Sequence, residues 1–498
     1  MSARRFAHVA LAVLGVSCAA ATASAQTVPT YHGAADRGGL YVTPGLTWAN
    51  AASVHMDTAF KATVTGQVYA QPLYWLPPGA TTGQIIVATE ANVVYALNAA
   101  TGAVAWQHTL GTPVTSSALP CGNINPVGVT GTPVIDPAAG VLYVDALVSV
   151  QAGPRHRIFA LSLATGKLLT GWPVDVDTGM SALHQTFDSS AQGQRSGLTT
   201  AGGELFVTYG GNWGDCSTYH GTVVELTLGT PKLTAAWSTR AHGGGIWAQS
   251  GISSDGQSLF VATGNTMGAS TWQDGEAVIR LQPGLVHSNA KTNYFTPANW
   301  LDLDNQDTDL GGTGPIPIDL PSGPGTTVPR LIQFGKDGNA YLLNRNNLGG
   351  IGGQIAVAHV SNSQIISAAA RFPAAGAVFV TFVGSGAACP SGQSGNLTML
   401  RITVAAATPI VTHWCAALDG TGAPIVTTTD GTTDPIVWVA GAQGDNELHG
   451  FRGTDGKPLF TGSKTADLMS GLQRNAAILA AEGRFYVAGS GKVYAFTY

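Results

Sequence analysis

The chain has 498 residues, of which 10% are charged and 65 are glycine, and its formal net charge is −5. That length exceeds one ordinary compact domain, yet the composition is neither that of a disordered chain nor that of a collagen. A weakly negative chain with no local run of basic residues offers no electrostatic footprint for nucleic acid.

In chain order, residues 1–25 read as a secretory signal. Arg4 and Arg5 supply the positive region, "HVALAVLGVSCAAA" the apolar region, and "ASA" at Ala23–Ala25 the cleavage site. The mature chain then spans 26–498 as one domain, periplasmic or secreted. No later apolar stretch reaches the roughly 18–20 residues that a membrane span needs. Four cysteines remain after cleavage: Cys121, Cys216, Cys389 and Cys415. An even count in an oxidising compartment predicts two disulfides out of three connectivities, with Cys121–Cys216 and Cys389–Cys415 favoured. None stands in a CxxC or CxxCH pattern, which argues against thiol redox, zinc and covalent haem.

The rest of the chain repeats one unit. An apolar, β-branched or aromatic run recurs as "QIIVATE" (84–90), "VLYVDAL" (141–147), "ELFVTYG" (204–210) and "SLFVATG" (258–264). It returns as "RLIQFGK" (330–336), "AVFVTFV" (377–383), "IVWVAGA" (436–442) and "RFYVAGS" (484–490). Each run is followed by a second strand, several of which end on a T-G or D-G turn, and some lead to an outer strand with tryptophan. Period-2 strands at this spacing predict an all-β, eight-bladed β-propeller of four-stranded antiparallel blades. The last blade stops on its third strand, "VYAFTY", so "TAFKATVTG" (58–66) is expected to close the ring from the N-terminal side. No window of 11–18 residues sustains a helical period.

Two of these units, "YALNAATGAVAW" and "FALSLATGKLL", resemble the repeat of the pyrroloquinoline quinone (PQQ) propeller superfamily, and the resemblance covers nearly all of the mature chain. It sharpens at "GGGIW" (243–247) and "ATGN" (262–265), which are similar to the quinoprotein alcohol dehydrogenase segments that carry the tryptophan under PQQ and a calcium-binding asparagine. The resemblance therefore implies Trp247 for the cofactor and Asn265 for the metal. "DNQDTDLGGTGPI" (304–316) looks like the segment with the catalytic aspartate, implying Asp309 with Asp307 behind it. "FGKDGNAYLLNR" (334–345) is similar to the strand whose lysine contacts the cofactor, implying Lys336. Asp215 is the one carboxylate that could stand for the family's calcium glutamate, with a one-residue adjustment and a shorter side chain. The family's adjacent-cysteine disulfide is missing, and Thr308 stands where it has a tryptophan.

What this implies is oxidation of a small alcohol or sugar with PQQ and calcium, the electrons leaving to an external acceptor because the chain has no haem motif. The same repeat also builds cofactor-free propellers, so a binding or scaffold module meeting a protein partner on its loop faces is the other reading. Each residue has a structural use as well: Trp247 in the core, Asn265 in a turn, Asp302, Asp304, Asp307 and Asp309 as loop carboxylates, Lys336 in a hairpin. Finally, "GQRSGL" (193–198) and "LQRNAA" (472–477) place Arg195 and Arg474 just before two innermost strands, with His184 and His220 close in sequence to the first. They make either a funnel for a carboxylate or sugar, or arginines bonded to carbonyls that line the channel.

Overall fold

The computed structural model describes residues 27–498 apart from 375, 406 and 464; the signal reading over 1–25 lies outside them. Eight antiparallel sheets follow one another along the chain, over 73–109, 134–175, 192–238, 253–296, 316–359, 370–416, 425–460 and 478–497. We number these blades one to eight. Every one of the eight recurrent runs forms the second strand of its blade. The alternation of each strand serves two neighbours. In blade one, Ile85, Val87, Tyr95 and Leu97 pack with blade eight, whereas Ile86, Ala88, Val94 and Ala96 pack with blade two. A strand sandwiched in this way is apolar on both faces, which is why the runs read as nearly continuous hydrophobic stretches.

Turn glycines and outer tryptophans lock neighbouring blades together. Trp106 of blade one donates from Nε1 to the Leu163 carbonyl at 2.7 Å, and its ring lies where a Cβ on Gly166, in the T-G turn of blade two, would stand 2.4 Å away. Trp414 repeats the arrangement against Gly453 and Gly456 of blade seven. Gly166 and Gly456 also have φ of 69° and 72°, so the turn and the stacking demand the same residue.

The ring closes as the sequence leads one to expect: Ala62–Thr63, inside the 58–66 segment, pairs with Lys492–Thr497, and His55–Met56 joins the same strand. A second N-terminal contribution was not legible. Leu40–Val42 pairs in parallel with the inner strand Ile425–Thr428 of blade seven. Upstream of it, Tyr31 packs with Ala368, Ala423 and Ala477 at the inner ends of blades six to eight. Arg37 reaches the inner strands of blades three and four. The segment 30–37 thus spans the central axis, from the inner ends of blades six to eight to those of blades three and four. Two short helices, Val176–Ala182 and Trp300–Asn305, sit in connections. Both predicted disulfides are present. Among the described residues no helix is long and apolar enough to cross a membrane.

Candidate functional site

The inner ends of the blades surround a cavity of about 600 Å³, a size usual for small-molecule sites. All eight candidate residues line it: Arg195, Asp215, Trp247, Asn265, Asp307, Asp309, Lys336 and Arg474. His184 and His220 do not. His184 follows the first helix with φ of 58°, and His220 contacts the Thr239 carbonyl and the edge of His242. Closeness in sequence to an innermost strand does not bring a side chain to the axis.

The three glycines before Trp247 serve backbone crossing. Gly244 donates to the Asn265 carbonyl at 2.6 Å, and Gly245 accepts from Gly264 at 3.0 Å. A Cβ on Gly245 would stand 3.3 Å from the Gly210 and Gly211 backbone on the other side. This threading delivers the indole to the cavity, where it is half-buried and belongs to none of the apolar core clusters. Gly264 and Gly312 flank it closely: added Cβ atoms there would lie 3.1 and 3.5 Å from the ring.

Asp309 is buried, 3% exposed, and held from two sides. Its Oδ1 accepts from the backbone N–H of Asn265 at 2.8 Å and its Oδ2 faces Lys336 Nζ at 2.6 Å. Lys336 Nζ also meets Oδ1 of Asp307 at 3.0 Å and lies 5.3 Å from the centre of the Trp247 ring. Burial raises the Asp309 carboxyl above the ordinary carboxylate range, and Lys336 offsets only part of that. Burial alone would lower the Lys336 ammonium, but Asp309 and Asp307 carry it above its usual value. Both partners of one ion pair move up because burial dominates at the carboxylate and attraction at the ammonium.

Two buried glutamates were not singled out from sequence. Glu276 is fully buried, with φ of 50°; its Oε2 accepts from Leu310 N–H at 2.5 Å, while Oε1 has no partner among the described residues. Burial, then the charge of Asp309, raises it well above the ordinary carboxylate value, beside the Asp309 loop. A glutamate directly before the strand run "AVIRL" was the available signal. Glu90 is likewise buried, accepts from Gly128 N–H at 2.6 Å, and is pushed by burial to about 7.

Arg195 and Arg474 differ from the carbonyl-bonded alternative: neither has a hydrogen bond or ion pair among the described residues. Burial lowers the Arg195 guanidinium, with Asp215 and Glu90 as the nearest compensating charges. Asp215 has φ of 48°, and its Oδ1 accepts from Tyr219 Oη at 2.6 Å. It adjoins the Cys121–Cys216 disulfide, which ties the cavity-lining loop at Asn123 and Ile124 to the loop bearing Trp213 and Asp215. Asp304 takes the bland role foreseen for loop carboxylates, accepting from Thr266 N–H and Oγ1.

A flat anion fits these groups: a half-buried indole, two guanidinium groups without partners among the described residues and an ammonium share one cavity. A calcium ion does not fit them as arranged. Calcium takes about six to eight oxygens, whereas both Asp309 oxygens are engaged by donors and one Asp215 oxygen is held by Tyr219. Among the described residues no three His, Cys, Asp or Glu side chains converge as a metal-holding group.

A family model of PQQ repeats, described as outer membrane protein assembly factor BamB, matches residues 34–270. No curated protein matches the chain by sequence. Among solved structures, the fold is similar to quinohemoprotein alcohol dehydrogenase ADHIIG from Pseudomonas putida HK5, with 12% identity, TM-score 0.63, and coverage of 95% of this chain and 80% of that one. It is similar to a europium-containing methanol dehydrogenase at 15% identity and TM-score 0.63, covering 95% of this chain and 98% of that one. The quinohemoprotein alcohol dehydrogenase from Comamonas testosteroni matches at 16% identity and TM-score 0.60, over 94% and 80% of the two chains. At such identities the likeness is one of fold.

Proposed function

We propose that this chain, an eight-bladed β-propeller whose residues 34–270 match a model of PQQ repeats, is a quinoprotein dehydrogenase that oxidises an alcohol or sugar in the periplasm or outside the cell. The observation that carries the reading is convergence. Trp247, Asn265, Asp309 and Lys336 come from four separate connections, and they line one cavity with two guanidinium groups that have no partner among the described residues.

When bound, PQQ supplies a two-electron acceptor for the hydride of the substrate's carbinol carbon. The chain's own residues bind, orient and take the proton. Trp247 offers a planar apolar face for stacking, and Arg195 and Arg474 pair with carboxylates. Asp309 accepts the proton of the substrate hydroxyl: it is buried, fixed by two donors and shifted towards a higher proton affinity, which suits a general base. Lys336 balances the charge of Asp309 and of any anion lying on Trp247. Asp307 holds the lysine from the solvent side. Asn265 and Asp215 are the oxygen donors expected for calcium; their incomplete shell gives the metal no step here. Electrons pass on to an external acceptor. Two disulfides suit an oxidising compartment, in keeping with export and cleavage near Ala25.

The test is a titration of the mature protein with PQQ, with and without calcium, followed by tryptophan fluorescence beside Trp247→Ala. Saturable quenching that disappears in the variant supports the quinoprotein, and dye-linked screens with alcohols and sugars then find the substrate. The second reading, a scaffold propeller, is favoured by the family model matched over 34–270. Absence of quenching at micromolar PQQ in both conditions would establish it over the first.

A further inference from the structure

Beside the main cavity lies a buried group that the reaction does not use. His156, on the third strand of blade two, is 2% exposed, and both ring nitrogens face acceptors that have no hydrogen to give. Nδ1 is 2.7 Å from Oδ1 of Asp145, and Nε2 is 3.0 Å from the carbonyl oxygen of Gln192. A neutral imidazole donates from one nitrogen only, so it would set a lone pair against one of these oxygens. The proton between ring and carboxylate belongs to imidazole, intrinsically the stronger base. Tyr209 Oη donates to the other Asp145 oxygen at 2.8 Å, which completes the carboxylate.

The carbonyl that His156 grips opens the segment carrying Arg195. Gln192–Gly193 pairs with Gly210–Gly211 of blade three, and Arg195 enters the main cavity two residues later. His156, Gln192 and Arg195 also line a small side cavity of about 20 Å³ that adjoins the main one. Arg195 has no bond of its own to fix it among the described residues, so its placement depends on its backbone. We propose that His156 is a buried imidazolium, clamped by Asp145 and Tyr209, that positions the Arg195 arm for binding an anion in the central cavity. The inference rests on the proposed role of Arg195 as a ligand-binding residue.

Burial opposes the charge on His156, but Asp145 and the Gln192 carbonyl outweigh it and raise the ring above its usual value. The clamp is therefore complete below the unfolded value of about 6.5 and is lost as pH rises through the higher folded value. The other groups facing the ring are Phe187 and Tyr209, with Ser189 bonding the His156 N–H and Asp177 behind Ser189, itself 4.0 Å from Arg155. Glu90, near Arg195, is pushed by burial to about 7 and would gain charge over the same pH range, so Glu90→Gln serves as the control.

The experiment has two arms. In ¹⁵N-histidine-labelled wild-type protein without ligand, one ring is expected to keep both nitrogens protonated at pH 7.5, and its signals should vanish in His156→Gln. A neutral His156 ring would overturn the proposal whatever the ligand. In the second arm, PQQ is titrated into wild type, His156→Gln, Arg195→Ala and the double variant. Each single change is expected to weaken binding about tenfold and the double no further, because both remove the same contact. An additive, hundredfold loss in the double variant would show that His156 acts independently of Arg195. The pH-dependent weakening should persist in Glu90→Gln and flatten in His156→Gln; the reverse pattern refutes the clamp. Asp145→Asn/His156→Gln, which buries no lone charge, replaces the single variant if that one does not fold. Failure of wild type to bind PQQ would defeat the functional reading alone, leaving the ring nitrogens to decide the imidazolium.

Discussion

Two arginines stand on neighbouring stretches of the same channel and are treated in opposite ways. Arg37, 1% exposed, spends its whole guanidinium on the protein: the carbonyls of Tyr31, Gly197, Leu198 and Ile252 and the hydroxyls of Thr30 and Thr199. Arg195, two residues before Gly197, has no such partner among the described residues and faces the cavity. The carbonyl-bonded arginine foreseen for Arg195 thus exists, but it is Arg37, sent in from the N-terminal segment. A cation whose donors are all satisfied holds a structure together. One left unsatisfied beside an open cavity has binding capacity to spare.

That contrast can be broken by substitution. Arg37→Met should cost the most, about 4 kcal/mol of stability in denaturant unfolding, because several buried acceptors lose their donor at once. A loss under about 1 kcal/mol would mean that the anchoring of segment 30–37 is dispensable. In the open stretch, Asp309→Asn should lower turnover by about a hundredfold or more while leaving quinone binding intact. The wild-type acid limb should lie above the ordinary carboxylate range, since the base is lost as pH falls through its raised value. A variant that keeps normal turnover would remove Asp309 from the chemistry.

Smaller effects sharpen the comparison further. An added methyl in Gly264→Ala would lie 2.9 Å from Asp309 Oδ1 and 3.1 Å from Trp247 Nε1. It should cost about 1–3 kcal/mol of stability and weaken PQQ binding, as overpacking does. Equal affinity in a titration of that variant would separate the Trp247–Asp309 cleft from the ligand. Last, Arg195→Ala should leave stability within about 0.5 kcal/mol and act on binding alone. A melting temperature lowered as far as that of Arg37→Met would erase the distinction between the two arginines.

Much of this was readable without coordinates. Blade number, the second strand of each blade and the closing role of 58–66 follow from patterns within a few residues, because a strand between two blades must be apolar on both faces and a stacked tryptophan needs a turn glycine. Six of the eight cavity residues follow from the family resemblance and two, Arg195 and Arg474, from their place before innermost strands; that all eight line one cavity is what the structure adds. What sequence could not reveal depends on long-range approach. The Glu276 carboxyl is raised by its burial and by the charge of Asp309, which lies 33 residues on. His184 and His220 stand outside the cavity, and the His220 ring instead meets the Thr239 carbonyl of the adjoining connection. Sequence determines which side chains can stand at the channel; only the tertiary structure decides which of their polar atoms are left without partners, because those partners come from segments far away in the chain, as the N-terminal Arg37 does at residues 197–199 and 252.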